Sequence, residues 1–333
     1  MTDSLAGKSV FVTGADGFIG SHLVEALVAR GARVRALVFY NSWNQRGWLN
    51  DVPAAVVDQV ELFQGDVRDA ARMQEGARGC EYVMHLASLI AIPYSYSATQ
   101  SFIDTNVSGT FNVLQAARAS STLVRMLHVS TSEVYGSAQV VPISETHPLV
   151  GQSPYAASKI GADKIAESFH LSFDLPVVTA RPFNTFGPRQ TARAVIPTIC
   201  SQLLAGVDRL RLGSLTPTRD FNYVVDTANG MIDLLLCKAA EGRTVNIGTG
   251  SEWSIGQTVE MLMKITGRTV PIVTEDARTR PAKSEVNRLL ADNRLIRELT
   301  AWQPQFEFPR ALELTAGWIK DNLRLFDTSR FNI

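Results

Sequence analysis

The chain opens with the stretch Val10-Phe11-Val12-Thr13-Gly14-Ala15-Asp16-Gly17-Phe18-Ile19-Gly20, which decides its fold class. The β-branched and aromatic run 10–12 predicts a buried strand, and the apolar spacing from Ser21 to Arg30 predicts a helix. The three glycines between them permit a tight turn and a close approach of the backbone to a ligand. Backbone N–H groups and the helix dipole then face a bound anion. The stretch therefore predicts a pyrophosphate site in a dinucleotide-binding domain.

Strand and helix patterns alternate through the first half of the chain. Two long helices are predicted at Thr99–Arg118 and Pro154–Ser172. Strands are predicted at Val34–Val38, Val60–Gln64, Tyr82–Leu86, Met126–Val129 and Val177–Ala180. Such alternation is typical of a parallel sheet covered by helices on both faces. The predicted fold class is α/β, a doubly wound parallel Rossmann sheet with a smaller C-terminal α/β substrate-binding cap.

The texture of the sequence changes after Arg181-Pro182, where irregular segments rich in Pro, Thr and Arg begin. Helical patterns recur near 195–205, 224–237, 255–266 and 310–323. We expect residues 1–181 to form the dinucleotide-binding Rossmann domain and residues 182–323 to form mainly the cap. Some of the later segments are expected to return to the first domain, and residues 324–333 to form a tail.

Composition narrows the function classes. The 333 residues are 45% hydrophobic and 19% charged, and 32 basic side chains balance 32 acidic ones, which argues against a nucleic-acid partner. Cys80, Cys200 and Cys237 match neither a disulfide framework nor a metal site. The sequence shows no apolar run of about 18 residues, and its first residues lack the profile of a signal peptide. We therefore expect a cytoplasmic protein without a metal or a membrane partner.

The second informative stretch is Tyr155-Ala156-Ala157-Ser158-Lys159, with Ser130-Thr131-Ser132-Glu133 upstream of it. A helix presents Tyr155 and Lys159 on one face, because they lie one turn apart. The nearby ammonium is expected to lower the tyrosine pKa from its usual value of about 10. The phenolate can then accept a proton from a sugar hydroxyl while hydride leaves the same carbon. Alone, this spacing more often marks a surface helix pair, but the glycine turn upstream favours catalysis.

Further motifs extend the pattern over nearly the whole chain. They are Gly65-Asp66-Val67, His85-Leu86-Ala87, Asn106, Thr131-Ser132-Glu133-Val134-Tyr135-Gly136, Arg181-Pro182-Phe183-Asn184-Thr185-Phe186-Gly187-Pro188-Arg189 and Arg219-Asp220-Phe221. With the glycine turn and the Tyr155/Lys159 pair, they resemble the extended short-chain dehydrogenase/reductases, in the family of nucleotide-sugar epimerases and dehydratases. The closest resemblance is to the N-acetylglucosamine-nucleotide 4,6-dehydratases of nonulosonate (legionaminate-type) pathways. It is carried by Phe39-Tyr40-Asn41-Ser42-Trp43, Ala194-Val195-Ile196-Pro197-Thr198 and Leu215-Thr216-Pro217-Thr218-Arg219-Asp220-Phe221.

The resemblance implies a nucleotide-sugar 4,6-dehydratase. In that reaction bound NAD or NADP oxidises C4, water is eliminated across C5–C6, and hydride returns to C6 to give a 4-keto-6-deoxy sugar. Thr131 is implied as the hydroxyl partner of Tyr155, and Glu133 as the base that takes the C5 proton. Ser132 stands where glucose-nucleotide dehydratases carry Asp and matches GDP-mannose 4,6-dehydratases, so the group that protonates the leaving hydroxyl stays open. The implied catalytic residues are Thr131, Ser132, Glu133, Tyr155 and Lys159.

Other activities are compatible with the same scaffold. The string from Thr131 to Gly136 also resembles nucleotide-glucuronate decarboxylases, which usually need a cation for a second anion. A 4-epimerase needs no carboxylate at Glu133, because it only removes and returns hydride. A non-catalytic Rossmann binding protein is a remote alternative, since such proteins commonly lose the Tyr/Lys pair.

The resemblance also implies the binding residues. The cofactor-binding residues are Gly14, Asp16, Gly17, Phe18, Ile19, Gly20, Tyr40, Ser42, Asp66, Val67, Leu86, Ala87, Ser88, Asn106, Ser130, Tyr155, Lys159 and Phe183. The residues for a UDP- or GDP-sugar are Asn184, Val195, Arg219, Arg280 and Glu285. Simple structural roles compete with some of these. Asp66 can cap the helix that follows it, Asn106 can be a buried hydrogen-bonded amide, and His85 is more readily a core histidine than a catalytic one.

The end of the second strand leaves the phosphorylation state of the cofactor open. NAD-preferring members carry an acid there for the ribose 2′-hydroxyl, but alignment places Val38 at that position. Without the acid a 2′-phosphate is not repelled, and Tyr40, Ser42 or Arg46 can bond it. The sequence therefore predicts NAD and NADP equally.

The two long helices carry more apolar residues than one core-facing stripe needs. These residues are Phe102, Ile103, Val107, Phe111, Val113, Leu114, Ile160, Ile165, Phe169 and Leu171. In the superfamily that the chain resembles, such helices often pair with their symmetry mates in a four-helix contact, so we expect a homodimer. The alternative is that the cap covers the second stripe.

Overall fold

The computed structural model describes residues 4–275 and 284–328. Its strands are β1 (Ser9–Thr13), β2 (Arg33–Phe39), β3 (Glu61–Gly65), β4 (Tyr82–His85), β5 (Arg125–Val129), β6 (Val177–Pro182), β7 (Asn184–Phe186), β8 (Leu210–Leu212), β9 (Thr218–Arg219), β10 (Phe221–Tyr223), β11 (Thr244–Ile247), β12 (Trp253–Ser254), β13 (Ile272–Thr274) and β14 (Arg288–Leu289). Its α-helices are α1 (Phe18–Ala29), α2 (Ala54–Val57), α3 (Ala70–Ala77), α4 (Ile92–Ser95), α5 (Thr99–Phe102), α6 (Gly109–Ala119), α7 (Pro154–Phe173), α8 (Val195–Leu204), α9 (Val224–Leu236), α10 (Ile255–Thr266), α11 (Arg294–Leu299) and α12 (Phe308–Asp321).

Seven parallel strands form the central sheet, in the order β11-β6-β5-β4-β1-β2-β3. β1 pairs with β2 on one side and with β4 on the other, so the direction of the strand order reverses at β1. In open α/β sheets ligands bind outside the carboxyl ends of the strands at this switch point. The doubly wound sheet confirms the predicted fold class. β11 comes from late in the chain and pairs with β6, a strand that the sequence pattern did not predict.

Helices cover both faces of this sheet, which explains why its central strands are buried throughout. On one face α1 and α9 pack together and bury Leu23, Leu27 and Met231. On the other face α3, α6 and α7 enclose a second core that includes Leu114 and Phe169. Full burial of each such side chain contributes about 1.5–3 kcal/mol.

The later segments build a smaller unit with its own core. α8, α10 and α12 pack on one another, and their apolar faces meet β8 and β10. The short strands pair as β7 with β10, β8 with β13, and β9 with β12 and β14. Phe186, Phe221 and Phe308 lie in aromatic contact at the centre of this core.

The helix predicted over Thr99–Arg118 is interrupted. Residues Ile103–Ser108 form a π-helical turn between α5 and α6, a departure that is frequent at functional sites. Phe102 and Leu114 are fully buried, whereas Ile103, Phe111 and Leu171 are 45%, 42% and 74% exposed. The alternative in which the cap covers the second apolar stripe is therefore wrong.

Two general features complete the fold. Cys80 and Cys200 are buried and Cys237 is half-buried, all three as free thiols. Across residues 4–275 and 284–328, no helix has both the length and the apolar character needed to cross a bilayer.

Candidate active site

The structure brings most of the predicted site residues to one cleft. It has a volume of about 1370 Å³ and is lined both by the carboxyl ends of the central strands and by the smaller unit. The predicted residues that line it are Gly14, Asp16, Gly17, Phe18, Ile19, Gly20, Asp66, Val67, Leu86, Ala87, Ser88, Ser130, Thr131, Ser132, Glu133, Tyr155, Phe183, Asn184, Val195, Arg219 and Glu285.

The other predicted site residues lie elsewhere. Lys159 and Asn106 are buried behind the cleft wall. Tyr40 lines a smaller hollow between the ends of β2 and β3, and Ser42 is exposed outside both cavities. Arg280 lies outside the described residues.

Glycines shape the turn between β1 and α1. Gly14 has a φ of +69°, and a Cβ there would lie 2.7 Å from the backbone nitrogen of Ala87. A Cβ on Gly20 would collide with the carbonyl oxygen of Gly14. No side chain caps the start of α1 at Gly17, so its first N–H groups face the cleft. This cradle fits an anionic pyrophosphate.

The catalytic pair is placed by the start of α7. Ser153 caps the helix by accepting a hydrogen bond from the Ala156 N–H at 3.1 Å, and Pro154 occupies its first position. Tyr155 follows directly, 7% exposed, with its ring edge against Phe102 at 6.2 Å between centroids. The helix therefore fixes where the phenol enters the cleft.

The expected effect of Lys159 on Tyr155 is wrong for this structure. Burial raises the pKa of Tyr155 above its ordinary value, and the hydrogen bond with the Thr131 side chain only partly opposes this. The Lys159 ammonium donates to the Val129 carbonyl oxygen at 2.7 Å. Burial lowers the pKa of Lys159 to about 8, although the charge of Asp163 opposes the change. Helical spacing gave the shared face but not the burial.

Asp163, one turn beyond Lys159, anchors a buried polar cluster that the sequence analysis missed. Its Oδ2 accepts hydrogen bonds from the Ser130 hydroxyl at 2.7 Å and from Arg181 at 2.9 and 3.2 Å. Its Oδ1 accepts from His128 Nε2 at 3.1 Å. Burial opposes ionisation, but the His128 hydrogen bond and the charges of Arg181 and Lys159 hold the pKa of Asp163 below its usual value. The signal in the sequence was an acid one turn past the lysine.

His85 is a satisfied core histidine, as the sequence analysis favoured. The Thr110 hydroxyl donates to the Asn106 carbonyl at 2.6 Å, so His85 Nε2 must donate to Thr110 Oγ1 across 2.9 Å. Nδ1 then accepts from the Thr13 hydroxyl at 2.7 Å. Burial holds the pKa of His85 well below its ordinary value. The ring is neutral and structural.

Asn106 ties a wall of the cleft to α7. Its Oδ1 accepts from the Leu89 N–H at 2.8 Å, and its Nδ2 donates to the Leu89 carbonyl at 3.0 Å and to Ser158 Oγ at 2.9 Å. Both of its side-chain N–H groups are thereby used. The π-helical turn places this amide inward, where it positions the segment 89–94.

The end of the cleft formed by β2 and β3, here called the β2/β3 end, is polar. Asp66 accepts hydrogen bonds from Arg68 through Nε and Nη2, and Arg68 holds the pKa of Asp66 below its usual value. Asp66 does not cap the following helix, because Asp69 does so. Asp16 accepts from the Phe39 N–H at 2.9 Å. Burial raises the pKa of Asp16, and this hydrogen bond opposes the rise.

The smaller unit contributes a different set of polar groups. Arg219 Nη2 lies 3.6 Å from Glu285 Oε1, and Asn184 Oδ1 is buried with no hydrogen-bond partner. Beneath Arg219, Asp220 accepts hydrogen bonds from Thr249, Gly250 and Ala291. Burial raises the pKa of Asp220 to about 6. These groups face the cleft or hold its rim.

Within the described ranges, no three His, Cys, Asp or Glu side chains converge in a way that could hold a metal ion. The polar groups that line the cleft are instead suited to anions and hydroxyls. Backbone N–H groups, Arg219 and the unpartnered Asn184 oxygen are of this kind.

Known proteins share this arrangement. The GDP-mannose 4,6 dehydratase family model matches residues 11–315. A dTDP-glucose 4,6-dehydratase from Actinoplanes sp. is 31% identical, over 94% of this chain and 98% of its own. The dTDP-glucose 4,6-dehydratase from Streptomyces venezuelae, crystallised with NAD, superposes with a TM-score of 0.85 at 30% identity, covering 96% of this chain and 99% of that one. The UDP-glucuronic acid 4-epimerase from Bacillus cereus, in complex with UDP-glucuronic acid and NAD, gives 0.84 at 26%, covering 94% and 99%.

The fold, the glycine cradle and the Tyr155/Lys159 helix define an extended short-chain dehydrogenase/reductase of the nucleotide-sugar dehydratase and epimerase class, and so an enzyme. Within that class, the chain belongs to the GDP-mannose 4,6 dehydratase family.

Proposed function

We propose that this chain is a nucleotide-sugar 4,6-dehydratase that converts an NDP-hexose, preferably an NDP-N-acetylhexosamine, to its 4-keto-6-deoxy form. One observation carries the proposal. Glu133 lines the cleft beside Tyr155, at an end otherwise walled by the apolar segment 89–94 and the hydroxyls of Thr131 and Ser132. We call this the Tyr155 end. A carboxylate there has no task in a simple epimerisation.

Tyr155 and Thr131 are placed to open the reaction at the sugar 4-hydroxyl. The phenol and the Thr131 hydroxyl are hydrogen-bonded to each other, so both reach the same substrate oxygen. NAD or NADP, when bound, supplies the hydride acceptor for C4 and the later donor to C6, and its positively charged oxidised ring favours the phenolate. Lys159 adds a buried positive charge in the same wall.

Glu133 then performs the step that makes the enzyme a dehydratase. Once C4 is a ketone, the C5 proton is acidic enough for a carboxylate to remove it, and the C6 hydroxyl leaves as water. The backbone N–H of Glu133 donates to Thr131 Oγ1 at 3.2 Å, which fixes the carboxylate next to the oxidation site. The Ser132 hydroxyl lines the same wall and can assist the leaving hydroxyl.

The same end of the cleft disfavours a glucuronate substrate. A decarboxylase holds a C6 carboxylate, which asks for a nearby cation. Among the described residues, the segment 89–94 and the residues 131–133 and 155 include no Lys or Arg. Glu133 would repel the substrate carboxylate instead. A 4-epimerase acting on a neutral hexose is the second candidate, because a structural relative carries that activity.

The nucleotide half of the substrate is assigned to the smaller unit, for which we propose the range 182–323. Arg219 offers a fork for the diphosphate of a UDP- or GDP-sugar, and Asn184 Oδ1 needs a donor that a ligand can supply. α8 begins at Val195 with no side-chain cap, so its N-terminal N–H groups favour an anion. Residues 1–181 then bind mainly the dinucleotide.

We propose a homodimer in the cytoplasm. The exposed apolar residues Ile103, Phe111 and Leu171 lie on the two long helices and give a twofold contact something to bury. Sedimentation at micromolar concentration tests this, and a monomer near 36.4 kDa would contradict it.

Mass spectrometry of the product tests the reaction itself. The protein is incubated with UDP- and GDP-linked N-acetylglucosamine, glucose and glucuronate, one at a time. Loss of water from a neutral hexose is the expected result. Loss of carbon dioxide from glucuronate would establish a decarboxylase, and an isomer of unchanged mass would establish an epimerase.

A further inference from the structure

An acidic side chain stands at the end of β2 although β2 itself supplies none. The Asp16 carboxylate accepts the backbone N–H of Phe39, the last residue of that strand, at 2.9 Å through Oδ2. Asp16 belongs to the glycine turn after β1 and lines the cleft. The turn thus carries a carboxylate sideways to the neighbouring strand. In NAD-binding Rossmann folds an acid at this end of the sheet accepts a ribose hydroxyl.

The loop after β2 holds Asp16 in this position. The Trp48 N–H donates to the Asp16 carbonyl oxygen at 2.9 Å. Gly47 has a φ of +54°, and a Cβ on it would collide with the Asp16 backbone. Asp16 is therefore fixed from two sides, by β2 and by the residues 47–48.

Cations at this end are already committed to other partners. Arg68 is hydrogen-bonded to Asp66 through Nε and Nη2. Arg72 donates to the Gln64 carbonyl at 2.7 Å and lies 3.6 Å above the Phe63 ring. The groups that the sequence analysis offered for a 2′-phosphate are no closer, since Tyr40, Ser42 and Arg46 are exposed and none of them lines the cleft.

We propose that Asp16 makes this chain select NAD over NADP, by accepting a ribose hydroxyl of the one and repelling the 2′-phosphate of the other. The inference rests on the proposed function, because it needs a dinucleotide in the cleft. It replaces the open choice left by the sequence. The acid is supplied by the glycine turn, and the absence of one at Val38 is not informative.

The test is binding, measured by calorimetry with NAD+ and NADP+ on the purified full chain, together with identification of any dinucleotide that the denatured protein releases. Wild type should bind NAD+ at least about thirtyfold more tightly, because one ligand gains a charge-assisted hydrogen bond and the other meets a like charge. Asp16→Asn keeps an acceptor for Phe39 but removes the charge. Its preference should fall to about threefold or less.

Asp58→Asn is the matched control, because it removes the same charge from an exposed position that does not line the cleft. Its preference should equal that of wild type. Equal binding of both dinucleotides by wild type, or release of NADP, would overturn the inference and leave the proposed function standing. An unchanged preference in Asp16→Asn would do the same. Binding of neither dinucleotide would overturn the proposed function as well.

Discussion

The two ends of the cleft solve opposite electrostatic problems. At the Tyr155 end the ionisable groups are buried, with Tyr155 7% and Lys159 2% exposed, and burial moves both of their pKa values towards the neutral form. At the β2/β3 end the Asp66 and Arg68 side chains are 27% and 50% exposed, and each is held in its charged form by the other. Charges interact strongly where water is excluded and weakly where it is present.

The difference separates chemistry from recognition. Changes at the Tyr155 end should lower turnover while dinucleotide binding stays intact. Changes at the β2/β3 end should alter binding with little effect on turnover at saturation. A residue that breaks this rule would show that the two ends are coupled.

Tyr155→Phe should produce the largest effect. The ring still packs against Phe102, but no group remains to take the 4-hydroxyl proton, so kcat should fall by about 10²–10⁴-fold. The dissociation constant for the dinucleotide should stay within about twofold of wild type. A kcat within about tenfold of wild type, a difference of ~1.4 kcal/mol, would remove Tyr155 from the chemistry.

Asp163→Asn probes the wall behind the Tyr155 end. The change leaves Arg181 and Lys159 without their shared anion, and breaking a buried pair costs about 3–5 kcal/mol of unfolding free energy. Asp163 raises the Lys159 pKa, so its loss should lower that pKa further below about 8. Turnover that requires the ammonium should then decline at lower pH than in wild type.

Asp163→Glu serves as the control, since it restores the charge. It should recover most of the stability and return the alkaline limb of the pH–rate profile towards its wild-type position. If Asp163→Asn unfolds at the wild-type temperature and keeps the wild-type profile, the cluster has no positioning role.

Arg68→Ala should give the smallest effect. Its ion pair with Asp66 is exposed, and such pairs contribute about 0.2–1 kcal/mol. Dinucleotide affinity should therefore change by less than about fivefold, and kcat at saturation should be unchanged. Titration calorimetry and steady-state kinetics measure the two quantities. A large loss of kcat in this variant would contradict the separation of the two ends.

Local patterns in the sequence predicted much of this molecule. The glycine turn followed from spacing within the range 10–20, and the central strands up to β6 followed from short apolar runs. The start of α7 is equally local, because Ser153 and Pro154 set it. Each of these features is decided by neighbours in the chain.

Features that depend on distant contacts could not be predicted in this way. The sign of the Tyr155 pKa shift depends on burial, which helical spacing does not reveal. The role proposed for Asp16 depends on a hydrogen bond to Phe39 on the next strand. β11 was missed because only its pairing with β6 marks it as part of the central sheet.

Glu133→Gln tests the central claim most directly, in a single turnover with excess enzyme and an NDP-N-acetylhexosamine. C4 oxidation needs Thr131, Tyr155 and Lys159, so the absorbance of reduced dinucleotide should appear at close to the wild-type rate. Water should not be lost, and deuterium from the solvent should not enter at C5, because no carboxylate takes that proton. Release of deoxy-keto product at the wild-type rate would contradict the assignment of Glu133, and with it the account of the Tyr155 end.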